Sequence, residues 1–213
     1  MGKRLFILFV ASLLVFAGLG LAHAPEAKAD TSKTGFDLLL GIGMQFCTDD
    51  DDKCNTSESL SAVGGLSAGY TFELHPMFAI GPFFDLDMGG LDGKGVDRSF
   101  TMQANLMLKA FVRPTYFDFW LGLGVGFAHY QQTVEFLNSE VTAKWNGGSL
   151  KVSIGATYFL PMMSNIGVGI DYAYIHNYSG KESGDWDGYT IESNKKVDYI
   201  GISQFKFHVR LNF

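Results

Sequence analysis

Three groups of residues in this 213-residue chain have types and spacings that could do chemistry. The first is Cys47-Thr48-Asp49-Asp50-Asp51-Asp52-Lys53-Cys54. A pair of cysteines in an exported chain is expected to form a disulfide, here Cys47 to Cys54, closing an acidic loop tip. Asp49, Asp50, Asp51 and Asp52 offer carboxylate oxygens to a divalent cation such as Ca²⁺. The run lacks the spaced ligands and the turn glycine of an EF-hand loop, so a solvated charge cluster is the simpler reading and no metal is assigned. The second group is Ile175-His176-Asn177-Tyr178-Ser179. A histidine can activate a serine for acyl transfer, oriented by an acid such as Glu192. On a continuous strand, however, His-x-x-Ser points the two side chains to opposite faces, so no catalytic residue is assigned. The third group is a set of charged residues spread along the whole chain: Asp37, Glu73, Asp85, Asp87, Asp118 and Asp171 with Lys109, Arg113, Lys151, Lys206, Arg210 and His208. What this set can do depends on the elements that carry it.

Those elements have a period of two. In the last nine residues, Phe205, Phe207, Val209, Leu211 and Phe213 alternate with Lys206, His208, Arg210 and Asn212. Such alternation means a strand with two unlike faces. Seven earlier segments repeat it: Gly35–Phe46, Leu60–Leu74, Phe78–Met88, Ser99–Arg113, Phe117–Tyr130, Leu150–Leu160 and Ile166–Tyr178, with the eighth over about Asp198–Phe213. Each is long enough to cross a bilayer when tilted, because about 9–11 residues suffice.

The start of the chain indicates the solvent. Lys3 and Arg4 precede an uncharged apolar run, Leu5 to Leu21, followed by Ala22-His23-Ala24 and Ala27-Lys28-Ala29. This reads as a secretory signal over residues 1–29, cleaved after Ala29, or after Ala24 at the alternative site. Residues 30–213 then form one domain. The full chain carries a formal net charge of −6, and loss of the basic leader makes it more negative. No basic patch for nucleic acid remains.

Connections between segments alternate in length. His75-Pro76-Met77, Pro114-Thr115-Tyr116 and Pro161 to Asn165 are short, whereas 47–59, 89–98, 131–149 and 179–197 are long and polar. Short turns at one rim and long loops at the other are the pattern of an outer-membrane barrel. An even strand count puts both termini at the short-turn, periplasmic rim. Lipid cannot hydrogen-bond an open strand edge, so the sheet must close. The predicted fold is therefore all-β: a transmembrane, eight-stranded, antiparallel up-and-down β-barrel.

The apolar faces become the outside. Phe72, Phe78, Tyr116, Phe117, Phe119, Tyr158 and Phe213 fall near the inner ends, and Phe46, Phe100, Phe127, Tyr178 and Tyr199 near the outer ends, making two aromatic girdles. His129 and His176 fall on the lipid face at the outer girdle. Pro82 removes a ladder donor inside the third strand, where a bulge is expected. Trp145 and Trp186 fall in the third and fourth long loops, as partner-contacting or membrane-anchoring residues.

The whole of residues 30–213 resembles the small eight-stranded outer-membrane proteins of the OmpA/OmpX/OmpW-type superfamily. The Phe-ended last strand is similar to the signal read by the barrel-assembly machinery, with Phe207, Val209, Leu211 and Phe213 as its apolar positions. The resemblance implies passage with periplasmic chaperones and a home among outer-membrane lipid and lipopolysaccharide. It leaves the role open, because one barrel serves many. An eight-stranded interior is only wide enough for side chains. The inward acids and bases nearly balance, so an ion-pair network filling the lumen is expected, with no cofactor. The resulting role is structural or surface-interacting, with an extracellular ligand reached through the four long loops. The alternative is a narrow channel for small or hydrophobic solutes, as the OmpW resemblance implies. The remote alternative is a lipid A-modifying enzyme. His176 to Ser179 is faintly similar to the His-x-Ser segment of PagL-type deacylases but departs from it in spacing.

Overall fold

The computed structural model describes residues 34–48, 60–91, 98–136, 139–186 and 189–213. The expected leader, the acidic run Asp49–Asp52 and Cys54 lie outside the described residues, as do the side chains of Ser179, Trp186, Glu192 and Tyr199. The eight strands are β1 (Gly35–Cys47), β2 (Ser61–His75), β3 (Phe78–Gly89), β4 (Arg98–Val112), β5 (Phe117–Phe136), β6 (Ser139–Leu160), β7 (Met163–Trp186) and β8 (Tyr189–Asn212). They follow one another around a closed antiparallel barrel, and β8 returns to pair with β1. Every spanning strand is hydrogen-bonded on both sides, as the absence of water in lipid requires.

Closure is finished at the chain end. Phe213 and Phe36 exchange backbone hydrogen bonds of 2.9 and 3.1 Å. The outward wall is apolar: Ile42 is 75% exposed and Leu106 68%, fractions that a water-facing sheet could not hold in such numbers. Phe207, Val209 and Phe213 also face outward.

Two expected features are corrected. Segments 131–149 and 179–197 are not long loops. β5 and β6 stay paired as far as Phe136↔Ser139, and β7 and β8 as far as Trp186↔Tyr189. The apolar outward face ends at the membrane surface, but the ladder does not. Above the bilayer a strand has water on its outer face, so the period-two signal fades while pairing continues. Trp145 is accordingly in β6, buried, and Trp186 is the last residue of β7.

The second correction concerns Pro82. The β3–β4 register runs unbroken through Gly81↔Lys109, Pro82↔Leu108 and Phe83↔Met107. On the β2 side the pairing passes from Gly69↔Phe83 to Phe72↔Ile80 in the same register, with the intervening positions unpaired. Pro82 opens the ladder locally and no residue is inserted, because its missing donor costs one bond and no change of path. The β2–β3 register shift lies instead at the turn, between Glu73 and His75.

Candidate functional site: the barrel interior

Inward positions of all eight strands meet in the lumen, where they form three kinds of layer. The innermost is built around Arg210 of β8. Its Nε donates to Asp37 Oδ1 at 2.8 Å and its Nη1 to Asp118 Oδ2 at 2.8 Å. Arg113 Nε lies 3.2 Å from the same Asp118 oxygen. Thr71 Oγ1 and Asn212 Nδ2 also donate to Asp37. The Arg210 guanidinium sits 4.7 Å from the Phe111 ring centroid and 5.3 Å from that of Phe159. The rings shield the pairs from water and add cation–π attraction.

The middle layer is a chain of alternating charges. Lys109 donates to Ser67 Oγ at 2.7 Å and to Asp85 at 3.0 Å. Lys151 bridges Asp85 at 3.0 Å and Asp87 at 2.6 Å. Lys206 joins Asp87 at 2.6 Å and approaches Asp171 to 3.6 Å. His208 closes the chain, with Nδ1 3.0 Å from Asp171 and Nε2 2.9 Å from Thr157 Oγ1. Each carboxylate here touches a cation and each cation a carboxylate, which is the arrangement a buried charge requires. The strands supply it by register: Asp171 and Lys206 are direct cross-strand partners, and Gly65 lies opposite Asp87. A Cβ on Gly65 would lie 2.6 Å from Asp87 Oδ1 and 3.0 Å from Lys206 Nζ, so the missing side chain is what lets this pair meet the wall.

Above the charges lies a layer of amides. Gln204 Nε2 donates to Gln45 Oε1 at 3.0 Å and to Gln103 Oε1 at 3.3 Å. Gln45 donates to Thr101 at 2.8 Å, and Gln103 to the Tyr130 hydroxyl at 2.8 Å. An apolar cap follows, made by Leu91, Ala128, Tyr130, Trp145, Ile175 and Ile202, with the Tyr130 and Trp145 rings 5.2 Å apart.

The expected inward charges therefore lie together, in two separate networks. Asp37, Asp118, Arg113 and Arg210 form one, and Asp85, Asp87, Asp171, Lys109, Lys151, Lys206 and His208 the other. Glu73, half-buried at the inner rim, lies within electrostatic reach of Arg113, and its backbone N–H donates to Thr34 Oγ1. The residues that sequence reasoning missed are the inward apolar ones Ala79, Phe83, Met107 and Phe111, which pack with Leu39 and Trp120. Their signal was available. Phe83 has the parity of Asp85, and Phe111 that of Lys109, so a strict period of two assigns them inward.

Beside the middle layer the interior leaves a cavity of about 20 Å³, lined by Ser67, Lys109, Trp120, Ser153 and Asp171 among others. That is room for about one water molecule. No cluster of three or more metal-ligating side chains occurs among the described residues. His176, at the outer girdle, is half-buried, and the candidate partners Ser179 and Glu192 lie outside the described side chains.

No curated protein matches the chain. Among solved structures it is similar to Neisserial surface protein A, with a TM-score of 0.58 and 12% identity over 84% of this chain and 98% of that one. It is also similar to Ail, the attachment invasion locus protein of Yersinia pestis (TM-score 0.52, 12% identity, 84% and 99% covered). A major outer membrane protein of Thermus thermophilus stands at TM-score 0.52 and 12% identity, with the same coverage as Ail. At such identities the likeness is one of fold. The chain is a protein of the Gram-negative outer membrane and belongs to the outer membrane protein beta-barrel domain family, whose model matches residues 14–213.

Proposed function

We propose that this barrel is a structural, surface-interacting protein of the outer membrane whose lumen is closed by its own side chains. The observation that carries the reading is the continuous filling of the interior, from the Arg210 pairs through the lysine–aspartate chain to the amides and the Trp145 cap. A solute path would need either a lining of one charge sign or a water-filled bore. The interior charges are instead paired, and the one-water cavity is far smaller than any nutrient. The exposed parts, among them the tall β5–β6 and β7–β8 hairpins, are then the surfaces that meet an extracellular ligand. Phe207, Val209, Leu211 and Phe213 present the outward apolar row that the assembly machinery would read. Cys47, buried at the end of β1, would be tied to Cys54.

Solute flux tests the reading. Liposomes holding the refolded protein should swell in glycine or arabinose no faster than protein-free liposomes. Swelling that scales with protein content would replace this reading with the channel.

A further inference from the structure

The two charge networks of the lumen meet at Trp120. Along β5, Asp118 belongs to the Arg210 network, Trp120 is the register partner of Phe111, and Gly122 is that of Lys109 in the lysine–aspartate chain. The indole packs with Leu39, Phe83, Met107 and Phe111, and the Lys109 ammonium lies 4.7 Å from its ring centroid. Those contacts satisfy the ring. The indole N–H is a donor and still needs an acceptor.

The protein does not supply one. Trp120 Nε1 and, on the neighbouring strand, Ser153 Oγ are both buried, and neither has a hydrogen-bond partner in the protein. Leaving a buried donor and a buried hydroxyl without partners is costly, so such atoms call for a ligand. Both residues line the same cavity of about 20 Å³ beside the middle layer.

Register builds the spot. Trp120 pairs with Gly155, and Ser153 with Gly122. A Cβ on Gly155 would lie 2.5 Å from two carbons of the indole and 2.8 Å from Nε1, and one on Gly122 would lie 2.7 Å from Ser153 Oγ. Each glycine thus makes room for the side chain opposite. The nitrogen edge of the indole and the hydroxyl stand as diagonal neighbours on the inward face of the β5–β6 pair.

The lining selects the occupant. The volume admits one small species. An anion would accept from the indole, but the carboxylates of Asp85, Asp87 and Asp171 also line the cavity and would repel it. A cation would meet the ammonium groups of Lys109, Lys151 and Lys206 in the same lining, and an indole N–H that can only donate. A neutral molecule that accepts and donates at once satisfies the whole set.

We propose that this cavity binds one ordered water molecule. It accepts a hydrogen bond from Trp120 Nε1, shares one with the Ser153 hydroxyl and directs a remaining hydrogen to the carboxylates of the lysine–aspartate chain. The water ties the aromatic cluster to the ion pairs and holds the indole at the junction of the two networks. The inference rests on the closed-lumen reading, because in an open bore the indole would meet bulk solvent.

The test uses NMR of the complete refolded barrel in lipid nanodiscs. The Trp120 indole proton is identified by its loss in Trp120→Phe. Cross-relaxation between this proton and water is measured in the rotating frame, and its exchange is followed after transfer to D₂O. The wild type should show a dipolar cross-peak to water, with exchange at least about a hundredfold slower than that of a free indole. Ser153→Ala keeps the room and removes the only hydroxyl at issue, so the cross-peak should persist. Ser153→Val fills the room, and the cross-peak should vanish. A protected indole proton without a water cross-peak in the wild type would overturn the proposal, and this arm needs no variant to refold. Loss of the cross-peak in Ser153→Ala would assign the signal to the hydroxyl and overturn it as well, as would a cross-peak undiminished by Ser153→Val. A resonance that moves when chloride is replaced by bromide at constant ionic strength would give the cavity to an anion instead. Exchange within seconds, with a cross-peak of the sign of chemical exchange, would contradict the closed lumen itself.

Discussion

The inner half of the lumen is packed with ion pairs, whereas the outer half is packed with amides and aromatic rings. Both halves fill the same bore, but they respond differently to loss of a side chain. In the inner half a deleted partner leaves a charge buried and uncompensated. In the outer half it leaves a cavity or an unpaired amide. The charges also fix register more tightly, since Arg210 must meet Asp37 of β1 and Asp118 of β5 at once. A slip of one residue between any of these strands would turn one partner out to lipid.

The largest effect expected from this contrast comes from Arg210→Met. It takes the guanidinium from buried Asp37 and leaves Asp118 to Arg113, and should cost about 3–5 kcal/mol in urea unfolding from lipid vesicles. A loss below about 1 kcal/mol would mean that water reaches these carboxylates, and the inner seal would then not hold. Next is Trp145→Ala in the outer cap, a large-to-small change at a buried site, with about 3 kcal/mol expected in the same assay. Its loss should leave the Arg210 and Lys151 networks intact, so Trp145→Ala combined with Arg210→Met should be additive within about 0.5 kcal/mol. Strong coupling would show that the two halves act as one unit. Smallest is Gln204→Leu. It withdraws one amide from Gln45 and Gln103, and about 1–2 kcal/mol is expected.

Much of this architecture was legible in the sequence. The alternation in Phe205–Phe213 and the short turns at Pro76 and Pro114 are direct consequences of a two-faced wall in lipid. The inward charges could be named for the same reason, since polar residues on a spanning strand have nowhere else to go. Their division into two networks was not legible, because it depends on which strands face each other across the bore. Phe83 and Phe111 were left off the inward face, although their parity with Asp85 and Lys109 assigns them there. The tall hairpins were hidden for a different reason. Above the bilayer both faces of β5 to β8 lose the apolar constraint, and Trp145 and Thr142 read as loop although they lie in continuous strand. Pro82 misled because a missing donor was equated with an inserted residue.

Conductance in a planar bilayer tests the closed lumen most directly. Wild-type protein, with insertion verified, is compared with the triple variant Phe111→Ala/Trp120→Gly/Arg210→Ser, which removes bulk and charge from the inner seal. The account predicts no steps from the wild type and reproducible openings from the variant. Discrete steps from the wild type, altered by Lys109→Gln or Arg113→Gln, would contradict it and make the interior charges the lining of a channel.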